Sequence, residues 1–250
     1  MLQGRRAVIT GGGTGIGLAC AVDLAKQGAI TIIMGRNLER LEAEAANIPG
    51  AKAVQIDVTD DASVTSAFQT ASADGTIDIL VNNAGIAAAS AFHKTSMEHW
   101  REIQAVNVEG LVRCTQAVID DMRKADYARI INISSIAGLR GGAYMSPYVA
   151  SKHAVLGLTK SLSLEYARTN LTVNAVCPGY VETAIVENSV ANIMEKTGRS
   201  REDALAELTK NNPQGRLIQP EEVAEAVTWL CSPLSASVCG QAITVSGGAI

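Results

Sequence analysis

The segment "SPYVASKHA" (146–154) places Tyr148 four residues before Lys152. Ser146 suits a helix N-cap, Pro147 suits the first helical position, and the residues that follow favour a helix. Because residues four apart share one helix face, the phenol and the ammonium point the same way. A nearby cation favours the ionised form of an acid, so Lys152 could draw the tyrosine pKa, about 10 in isolation, towards a range useful for proton transfer. The alternative is a tyrosine ring that packs on a lysine stem at the helix surface.

The elements that must position this pair alternate along the chain. Short β-branched runs, separated by helical patterns, predict strands at 6–10, 30–34, 53–57, 77–83, 129–134, 171–176 and 241–245. The first helical pattern runs from Gly15 to Gln27, and Gly28 is its expected C-cap. Apolar strands that alternate with helices predict a parallel sheet covered on both faces. We therefore expect a single α/β domain over 1–250, with a Rossmann-like, doubly wound, seven-stranded parallel sheet and helices on both faces.

One polar stretch departs from this alternation. Residues 184–212 are weakly amphipathic and lie between the sixth predicted strand and the final helix. Ligands of open α/β sheets bind beyond the carboxyl ends of the strands, and this insert leaves one of those ends. The segment is therefore a candidate substrate lid. The alternative is a solvated helical excursion.

The composition excludes several classes of function. Of 250 residues, 47% are hydrophobic and 18% are charged, and the formal net charge is −4. Mild acidity without a Lys/Arg run argues against nucleic-acid binding, and we expect neither a signal peptide nor a membrane span. The five cysteines lack metal-type spacing and are expected to be reduced thiols in a cytoplasmic protein. His93, His99 and His153 form no ligand cluster, so we expect no catalytic metal.

A glycine-rich turn follows the first predicted strand. In "TGGGTGIG" (10–17), Gly11, Gly15 and Gly17 carry no side chain where a pyrophosphate would approach the backbone. The helix that begins here offers free N–H groups and the positive end of its dipole. This context predicts a dinucleotide-binding turn. The alternative is a tight turn that binds nothing.

The second predicted strand runs into "MGRNLER" (34–40), where NAD-binding proteins usually carry an acid for the ribose 2′-hydroxyl. Gly35 leaves room for a 2′-phosphate, and Arg36 can pair with that phosphate through charge-assisted hydrogen bonds. The sequence therefore predicts NADP(H) rather than NAD(H). The alternative is a surface arginine beside Glu39.

Polar residues also end the next strands. Asp57 ends the third, where its carboxylate could accept a hydrogen bond from the adenine amino group. "NNAG" (82–85) ends the fourth; it could pack on the adenosine ribose and steady the glycine turn, or be a plain strand-end turn. Ser135 ends the fifth, where it can converge with Tyr148 at one cleft.

Asn107 is unfavourable in the interior of a helix unless it caps the helix or its side chain makes a hydrogen bond, which makes it a candidate site residue. The alternative is a structural asparagine.

These motifs occur in one order over almost the whole chain: "TGGGTGIG", Asp57, "NNAG", Asn107, Ser135, "YVASK" and "PGYVET" (178–183). The set resembles that of the short-chain dehydrogenase/reductase family. The resemblance implies that Tyr148 protonates a carbonyl oxygen during reduction, while Ser135 holds that oxygen. It also implies that Lys152 binds the nicotinamide ribose and lowers the tyrosine pKa, and that Asn107 anchors a water linked to Lys152. Hydride would pass between nicotinamide C4 and the substrate carbon.

The resemblance extends to the remaining cofactor contacts, with "PGYVET" along the nicotinamide. The full predicted set is Gly11, Gly13, Thr14, Gly15, Ile16, Gly17, Arg36, Asn37, Asp57, Val58, Asn83, Ala84, Gly85, Tyr148, Lys152, Pro178, Gly179, Val181 and Thr183. Many family members have serine in place of Gly13, so the phosphate contact would depend more on Thr14 and Arg36.

The resemblance further implies a homotetramer that uses the Tyr–Lys helix in one interface. Small side chains at Ala150, Ala154, Gly157 and Ser161 would permit close helix packing there.

The substrate is predicted from the residues before Tyr148 and from a second resemblance. The tail from "SPYVASKHAV" through "VNAVCPGYVET" and "GRLIQPEEVAEAV" is similar to ketoreductases of aromatic polyketide and fatty-acid pathways. Beside Ser135 and Tyr148, the segment "LRGGAYM" (139–145) offers pocket residues suited to an apolar or aromatic ketone, namely Leu139, Tyr144 and Met145. Arg140 is either a partner for an acidic group or a solvated loop charge. We expect an enzyme that interconverts a ketone and a secondary alcohol with NADP(H), with a 3-oxoacyl thioester on CoA or a carrier protein as the favoured substrate.

Two alternatives stay open at this point. The first is an NAD-dependent hydroxy-acid or secondary-alcohol dehydrogenase, since the 184–212 insert is similar in length to that of 3-hydroxybutyrate dehydrogenases. The second is a non-catalytic dinucleotide-sensing protein on the same fold.

Overall fold

The computed structural model describes residues 1–210 and 212–250, apart from the side chain of Ile185. A seven-stranded sheet lies at the centre, with the order β3-β2-β1-β4-β5-β6-β7. Its strands are β1 (Arg6–Thr10), β2 (Ile30–Gly35), β3 (Lys52–Gln55), β4 (Ile79–Asn82), β5 (Ala128–Ile133), β6 (Leu171–Pro178) and β7 (Ala242–Val245). Every neighbouring pair is parallel. The predicted Rossmann-like, doubly wound sheet is confirmed, and its strand order reverses between β1 and β4.

Helices cover both faces of the sheet. One face carries α1 (Gly15–Lys26), α2 (Leu38–Ala45) and α9 (Pro220–Leu230), and the other carries α3 (Asp61–Ser72), α4 (Met97–Gln104), α5 (Gly110–Met122) and α6 (Ser146–Glu165). Side chains of a strand alternate between the two faces. Ile9 and Ile33 therefore pack towards α1, whereas Val8 and Leu80 pack towards α3 and α5.

The predicted strands are all present, but most of their ends differ by one or two residues. The third strand ends at Gln55 rather than residue 57, because its only neighbour, β2, stops at Gly35, the register partner of Gln55. Asp57 therefore lies two residues beyond β3. The sixth strand extends to Pro178, which pairs with Val245 of β7.

The helix that carries Tyr148 and Lys152 begins one residue earlier than predicted. Ser146 is its first residue and Pro147 its second, so the prediction of Ser146 as N-cap is wrong. Ser146 Oγ is buried and has no hydrogen-bond partner among the described residues. The tyrosine and the lysine nevertheless stay one turn apart on the same helix.

The polar insert forms two helices, α7 (Ala184–Thr197) and α8 (Arg201–Thr209). They enclose an apolar cluster of their own, made by Val186, Val190, Ala204 and Leu208. Backbone hydrogen bonds join the two ends of the insert, from Glu182 N to Ile218 O (2.9 Å) and from Ile218 N to Tyr180 O (2.9 Å). The insert is thus a helical hairpin clamped where it leaves β6.

Within the described part of the chain, no helix is both long and apolar enough to cross a membrane. The same residues contain no group of three or more His, Cys, Asp or Glu side chains placed to hold a metal ion.

Candidate active site

A cleft opens beyond the carboxyl ends of β4, β5 and β6, beside the point where the strand order reverses. Ligands of doubly wound sheets bind at this position. Five of its lining residues are Gly85, Ser135, Tyr148, Lys152 and Thr183. The fold therefore brings the catalytic candidates after β5 and on α6 together with the predicted cofactor residues after β4 and β6.

The glycine turn before α1 is shaped by close backbone contacts. A Cβ on Gly17 would lie 2.3 Å from Gly11 O, so only glycine permits this closure. Gly15 has φ +50°, and a Cβ there would lie 3.0 Å from Thr183 Cγ2. Thr14, the N-cap residue of α1, makes no side-chain capping bond. The first N–H groups of α1 thus face a space that side chains at Gly15 and Gly17 would fill. This glycine turn and the N-terminus of α1 fit the pyrophosphate of a dinucleotide.

The "NNAG" segment holds this turn in place. Asn83 Nδ2 donates to Thr10 O (3.0 Å) and to Gly11 O (3.1 Å). Thr10 Oγ1 in turn accepts from Asn83 N (3.0 Å) and Ala84 N (3.1 Å). Four hydrogen bonds therefore couple the end of β4 to the end of β1. The ribose contact of this segment stays a prediction.

The end of β2 presents an exposed arginine. No ion pair joins Arg36 to Glu39 among the described residues, and the alternative of a surface arginine beside Glu39 stays open. Asn37 uses its side-chain oxygen to cap α2, where it accepts from Arg40 N at 2.9 Å. Its predicted cofactor contact would therefore have to come from its amide nitrogen or its backbone.

Asp57 lies close to this arginine. Its Oδ1 accepts hydrogen bonds from Thr59 N (2.9 Å) and Thr59 Oγ1 (2.7 Å). These bonds lower the pKa of Asp57, burial opposes them, and the charge of Arg36 adds a smaller decrease. Val58 is buried against Gly110, where a Cβ would lie 2.7 Å from Val58 Cγ2. An acceptor and a cation thus lie side by side near the predicted adenosine position.

A close approach between the end of β5 and α6 positions the catalytic candidates. Ser134 Oγ donates to Lys152 O (3.1 Å), and a Cβ on Gly138 would lie 2.8 Å from the same oxygen. Ser135 caps a short 3-10 turn, where its Oγ accepts from Ala137 N at 3.1 Å. This cap fixes the backbone at Ser135, at the junction between β5 and α6.

The charges at this junction are set mainly by burial. Lys152 Nζ donates to Ile133 O (2.8 Å) and lies 5.6 Å from the centroid of the Tyr148 ring. Burial lowers the pKa of Lys152 to about 8, with Cys177 opposing the change. Burial also raises the pKa of Tyr148, against a decrease from its hydrogen bond with Ser135. The lysine was expected to lower the tyrosine pKa; in this structure the net shift is upward, because desolvation of the phenolate outweighs the other influences. Lys152 is buried, so the alternative of a packed pair at the helix surface does not hold.

Asn107 lies in a π-helical turn, Ala105–Glu109, between α4 and α5. Its Oδ1 accepts from Ile86 N (2.8 Å), and its Nδ2 donates to Ile86 O (2.9 Å) and Ser151 Oγ (3.1 Å). A Cβ on Gly85 would lie 3.3 Å from Asn107 Oδ1 and 3.7 Å from Lys152 Nζ. Asn107 therefore fixes the turn after β4, and Gly85 places no side chain between it and the lysine.

The structure places some of the residues predicted for the substrate pocket in the cleft and others outside it. Met145 and Arg140 line the cleft, but Leu139 and Tyr144 do not. Leu139 is 39% exposed and Tyr144 is 68% exposed. Tyr144 adopts φ +64°, and this reversal turns the chain so that Met145 faces the cleft instead. Arg140 donates to Ala249 O at 3.2 Å.

The sequence did not single out several apolar and polar cleft residues, among them Ile86, Ala87, Ile136, Tyr180, Val186 and Ser189. A feature of the sequence could have identified three of them. Tyr180 lies inside "PGYVET", and Val186 and Ser189 follow it three residues apart, at the spacing that puts both on one face of α7. The others lie in turns whose course depends on Asn107 and Ser135.

Comparison with known proteins identifies the family. A family model described as short chain dehydrogenase matches residues 5–193. The chain therefore belongs to the short-chain dehydrogenase family and is an oxidoreductase for ketone and alcohol groups. The prediction of an enzyme is confirmed, and the dinucleotide-sensing alternative has no support.

Three relatives illustrate the range of similarity. The chain is 39% identical to a monensin polyketide synthase putative ketoacyl reductase of Streptomyces virginiae, covering 98% of this chain and 96% of the relative. It is 39% identical to 3-oxoacyl-(acyl-carrier-protein) reductase FabG of Aquifex aeolicus, covering 99% and 98%. It is 36% identical to D-beta-hydroxybutyrate dehydrogenase of Cupriavidus necator, covering 99% and 98%.

A solved structure has the same fold. A crystal structure of an actinorhodin polyketide ketoreductase variant with NADPH superposes with a TM-score of 0.93 at 35% identity, covering 98% of this chain and 97% of the other.

The lowered pKa of Lys152 predicts a specific dependence of stability on pH. Between about pH 8 and about pH 10, the unfolded chain, with an ordinary lysine pKa, binds more protons than the folded protein. The free energy of unfolding from this group should therefore rise with pH across that window. Groups whose pKa is raised by burial act in the opposite direction. Tyr148 does so above about pH 10, and the thiols of Cys20, Cys114, Cys177 and Cys231 do so within the same window as the lysine.

The measurement is urea unfolding of the cofactor-free protein at several pH values from about 7.5 to about 9.5, within this window. As the pH rises, Lys152→Met should lose stability relative to the unmodified protein, because it lacks the contribution of the buried lysine. Lys160→Met, at an exposed position of the same helix, should keep the pH profile of the unmodified protein. Parallel curves for all three proteins would contradict the assigned burial of the ammonium.

Proposed function

We propose that the protein is an NADP(H)-dependent reductase of 3-oxoacyl thioesters or closely similar ketones. The observation that carries this proposal is the convergence of Ser135, Tyr148 and Lys152 on one cleft. Thr183, which lies beside the glycine turn, lines the same cleft. The relatives named as ketoacyl and 3-oxoacyl reductases, and the neighbour described with NADPH, support the substrate class and the cofactor.

The chain has a group suited to each part of the cofactor. The first N–H groups of α1 would hold the pyrophosphate, Asp57 the adenine amino group and Arg36 the 2′-phosphate. Lys152 would hold the nicotinamide ribose, and Thr183 the carboxamide. When bound, the nicotinamide supplies or accepts the hydride.

Proton transfer would fall to Tyr148. Its raised pKa keeps the phenol protonated before reduction, as a proton donor to a carbonyl oxygen must be. Ser135 Oγ would donate a hydrogen bond to the same oxygen and hold it beside the phenol. Lys152, with a pKa of about 8, stays mostly charged at neutral pH and would stabilise the phenolate that forms. The space that Gly85 leaves between Asn107 and Lys152 supports a water that returns the proton.

The cleft walls support an acyl substrate. Ile86, Ile136, Met145 and Val186 provide apolar surface around the catalytic pair. Helix α7 contributes Val186, so the hairpin 184–212 would act as the predicted lid. The D-beta-hydroxybutyrate dehydrogenase relative and the cation of Arg140 in the cleft favour a second candidate, a dehydrogenase of a small hydroxy acid.

The first test is reduction of acetoacetyl-CoA, followed by NADPH absorbance with NADH in parallel. NADPH should be consumed rapidly and NADH slowly. Tyr148→Phe should lower kcat by about 100-fold or more, because the proton donor is removed. Tyr144→Phe is the matched control, since that exposed ring does not line the cleft, and it should keep full activity. Oxidation of 3-hydroxybutyrate with NAD, without acetoacetyl-CoA reduction, would favour the second candidate instead.

Cofactor preference is expected to depend on the residues after β2. Gly35→Asp with Arg36→Ala replaces a phosphate partner by a carboxylate that suits a ribose 2′-hydroxyl. KM for NADPH should rise at least tenfold while KM for NADH falls. Lys26→Ala, at the end of α1, is the control and should leave both values unchanged. An unchanged preference in the double variant would rule out Arg36 as the phosphate partner.

We propose that the protein is a homotetramer that uses the exposed side of α6. Ala154, Gly157, Ser161 and Leu164 lie on one stripe of this helix, and Leu164 is 80% exposed. A Cβ on Gly157 would meet nothing within 4 Å.

Light scattering should give four times the chain mass of 26.1 kDa. Gly157→Glu should reduce the mass, whereas Thr70→Glu on α3 should not; a monomeric unmodified protein would refute the assembly.

A further inference from the structure

Four polar side chains form a chain of hydrogen bonds on the face of the sheet that α5 and α6 cover. Asn82, at the end of β4, donates through Nδ2 to Thr115 Oγ1 of α5 (3.1 Å) and to Asn132 Oδ1 of β5 (2.9 Å). Asn132 Nδ2 donates in turn to Thr159 Oγ1 of α6 (2.9 Å). None of these four described residues lines the catalytic cleft, so the chain is separate from the groups that would touch substrate or cofactor.

Burial makes this chain costly to break. All four residues are between 0% and 4% exposed. A buried amide that loses its partner keeps the full cost of its desolvation, since water does not readily replace the partner there. Asn132 uses both ends of its amide, because Oδ1 accepts from β4 and Nδ2 donates to α6. Its side chain therefore fixes the distance between these two elements.

Thr159 and Lys152 lie on the same stripe of α6. They are seven residues apart, which is about two helical turns, and both are buried. Lys152 Nζ donates to Ile133 O (2.8 Å), while Thr159 accepts from Asn132, the residue before Ile133. Thr159 Oγ1 also donates to Val155 O (2.8 Å) within the helix. This stripe of α6 is thus attached to two consecutive residues of β5.

The two attachments differ in what the reduction would demand of them. If Lys152 binds the nicotinamide ribose, its ammonium has to divide its donors between that ribose and Ile133 O. The bond from Ser134 Oγ reaches the backbone of the same lysine. The bond between Asn132 and Thr159 involves no group of Lys152, so it can hold α6 against β5 while the ammonium turns to the cofactor.

The other end of the chain lies beside the glycine turn. Asn82 is followed directly by Asn83, whose side chain donates to Thr10 O and Gly11 O. The position of α6 and the position of the glycine turn are therefore both set from neighbouring residues at the end of β4.

We propose, building on the function proposed above, that Thr159 is a positioning residue for the reduction. Its hydroxyl, held by Asn132, keeps α6 in place so that Tyr148 and Lys152 stay aligned with Ser135. A misplacement of reacting groups by about 1 Å can cost about 100-fold in rate. A hydroxyl that touches neither substrate nor cofactor can therefore limit kcat.

The kinetic test compares two substitutions of Thr159 with acetoacetyl-CoA and NADPH. Thr159→Val keeps the shape and removes the hydroxyl, and it should lower kcat about tenfold with both KM values within about twofold, because alignment is lost but binding contacts remain. Thr159→Ser keeps the hydroxyl and should keep kcat within about twofold. Thr228→Val is the matched control: Thr228 of α9 is buried, its hydroxyl has no partner among the described residues, and kcat should not change.

Hydrogen exchange of the cofactor-free protein, followed by mass spectrometry, tests the anchor independently of any reaction. Amides of residues 148–158 should exchange several-fold faster in Thr159→Val than in the unmodified protein, and at the unmodified rate in Thr159→Ser and Thr228→Val. Thr159→Cys, which keeps a weaker hydrogen-bonding atom, should lie between Val and Ser in both measurements and serves if Thr159→Val does not fold.

The proposal is overturned if Thr159→Val leaves either the exchange rates or kcat unchanged, or if Thr159→Ser or Thr228→Val loses as much activity as Thr159→Val. If the unmodified protein does not reduce acetoacetyl-CoA, the proposed function fails, and the exchange rates alone decide whether Thr159 anchors α6.

Discussion

The close contact between the end of β5 and the first turns of α6 is the constraint on which the catalytic arrangement depends. Lys152 donates through its ammonium to Ile133 O and accepts through its backbone oxygen from Ser134 Oγ. One residue is thus tied to the strand at both ends, and Gly138 permits the approach because any side chain there would collide with Lys152 O. Tyr148 and Ser135 belong to the two segments that this contact joins. A change in the spacing of β5 and α6 would therefore separate the hydroxyl groups that must share one substrate oxygen.

Burial has opposite consequences for the charges of the two principal side chains. It favours the neutral phenol of Tyr148 and also favours the neutral amine of Lys152, so each group resists the charge that proton transfer requires of it. Burial thus disfavours the phenolate of Tyr148, while the ammonium of Lys152 still predominates at neutral pH. Their closeness means that a phenolate and an ammonium can form together, each reducing the cost of the other.

The sequence predicts the sheet well because its strands are buried on both faces and appear as continuous apolar runs. Strand ends were less predictable, since β3 stops where its neighbour stops and β6 continues only because β7 pairs with Pro178. The meeting of Ser135, Tyr148 and Lys152 followed from their positions at the end of a strand and the start of a helix. The exposure of Leu139 and Tyr144 could not be read from residue type, and neither could the positive φ that Tyr144 adopts. The upward pKa shift of Tyr148 depends on how deeply the ring is buried, which no local pattern encodes.

The clamped hairpin of α7 and α8 has a consequence for how this enzyme could diversify. Its two ends are joined by backbone groups of Glu182, Ile218 and Tyr180, which do not depend on side-chain chemistry as long as positions 182 and 218 are not proline. Its apolar cluster is separate from the two main cores of the sheet. Substitutions at Val186 would therefore alter the cleft wall at little expense to the stability of the sheet. The part of the cleft wall that α7 forms can thus change without any change at Ser135, Tyr148 or Lys152.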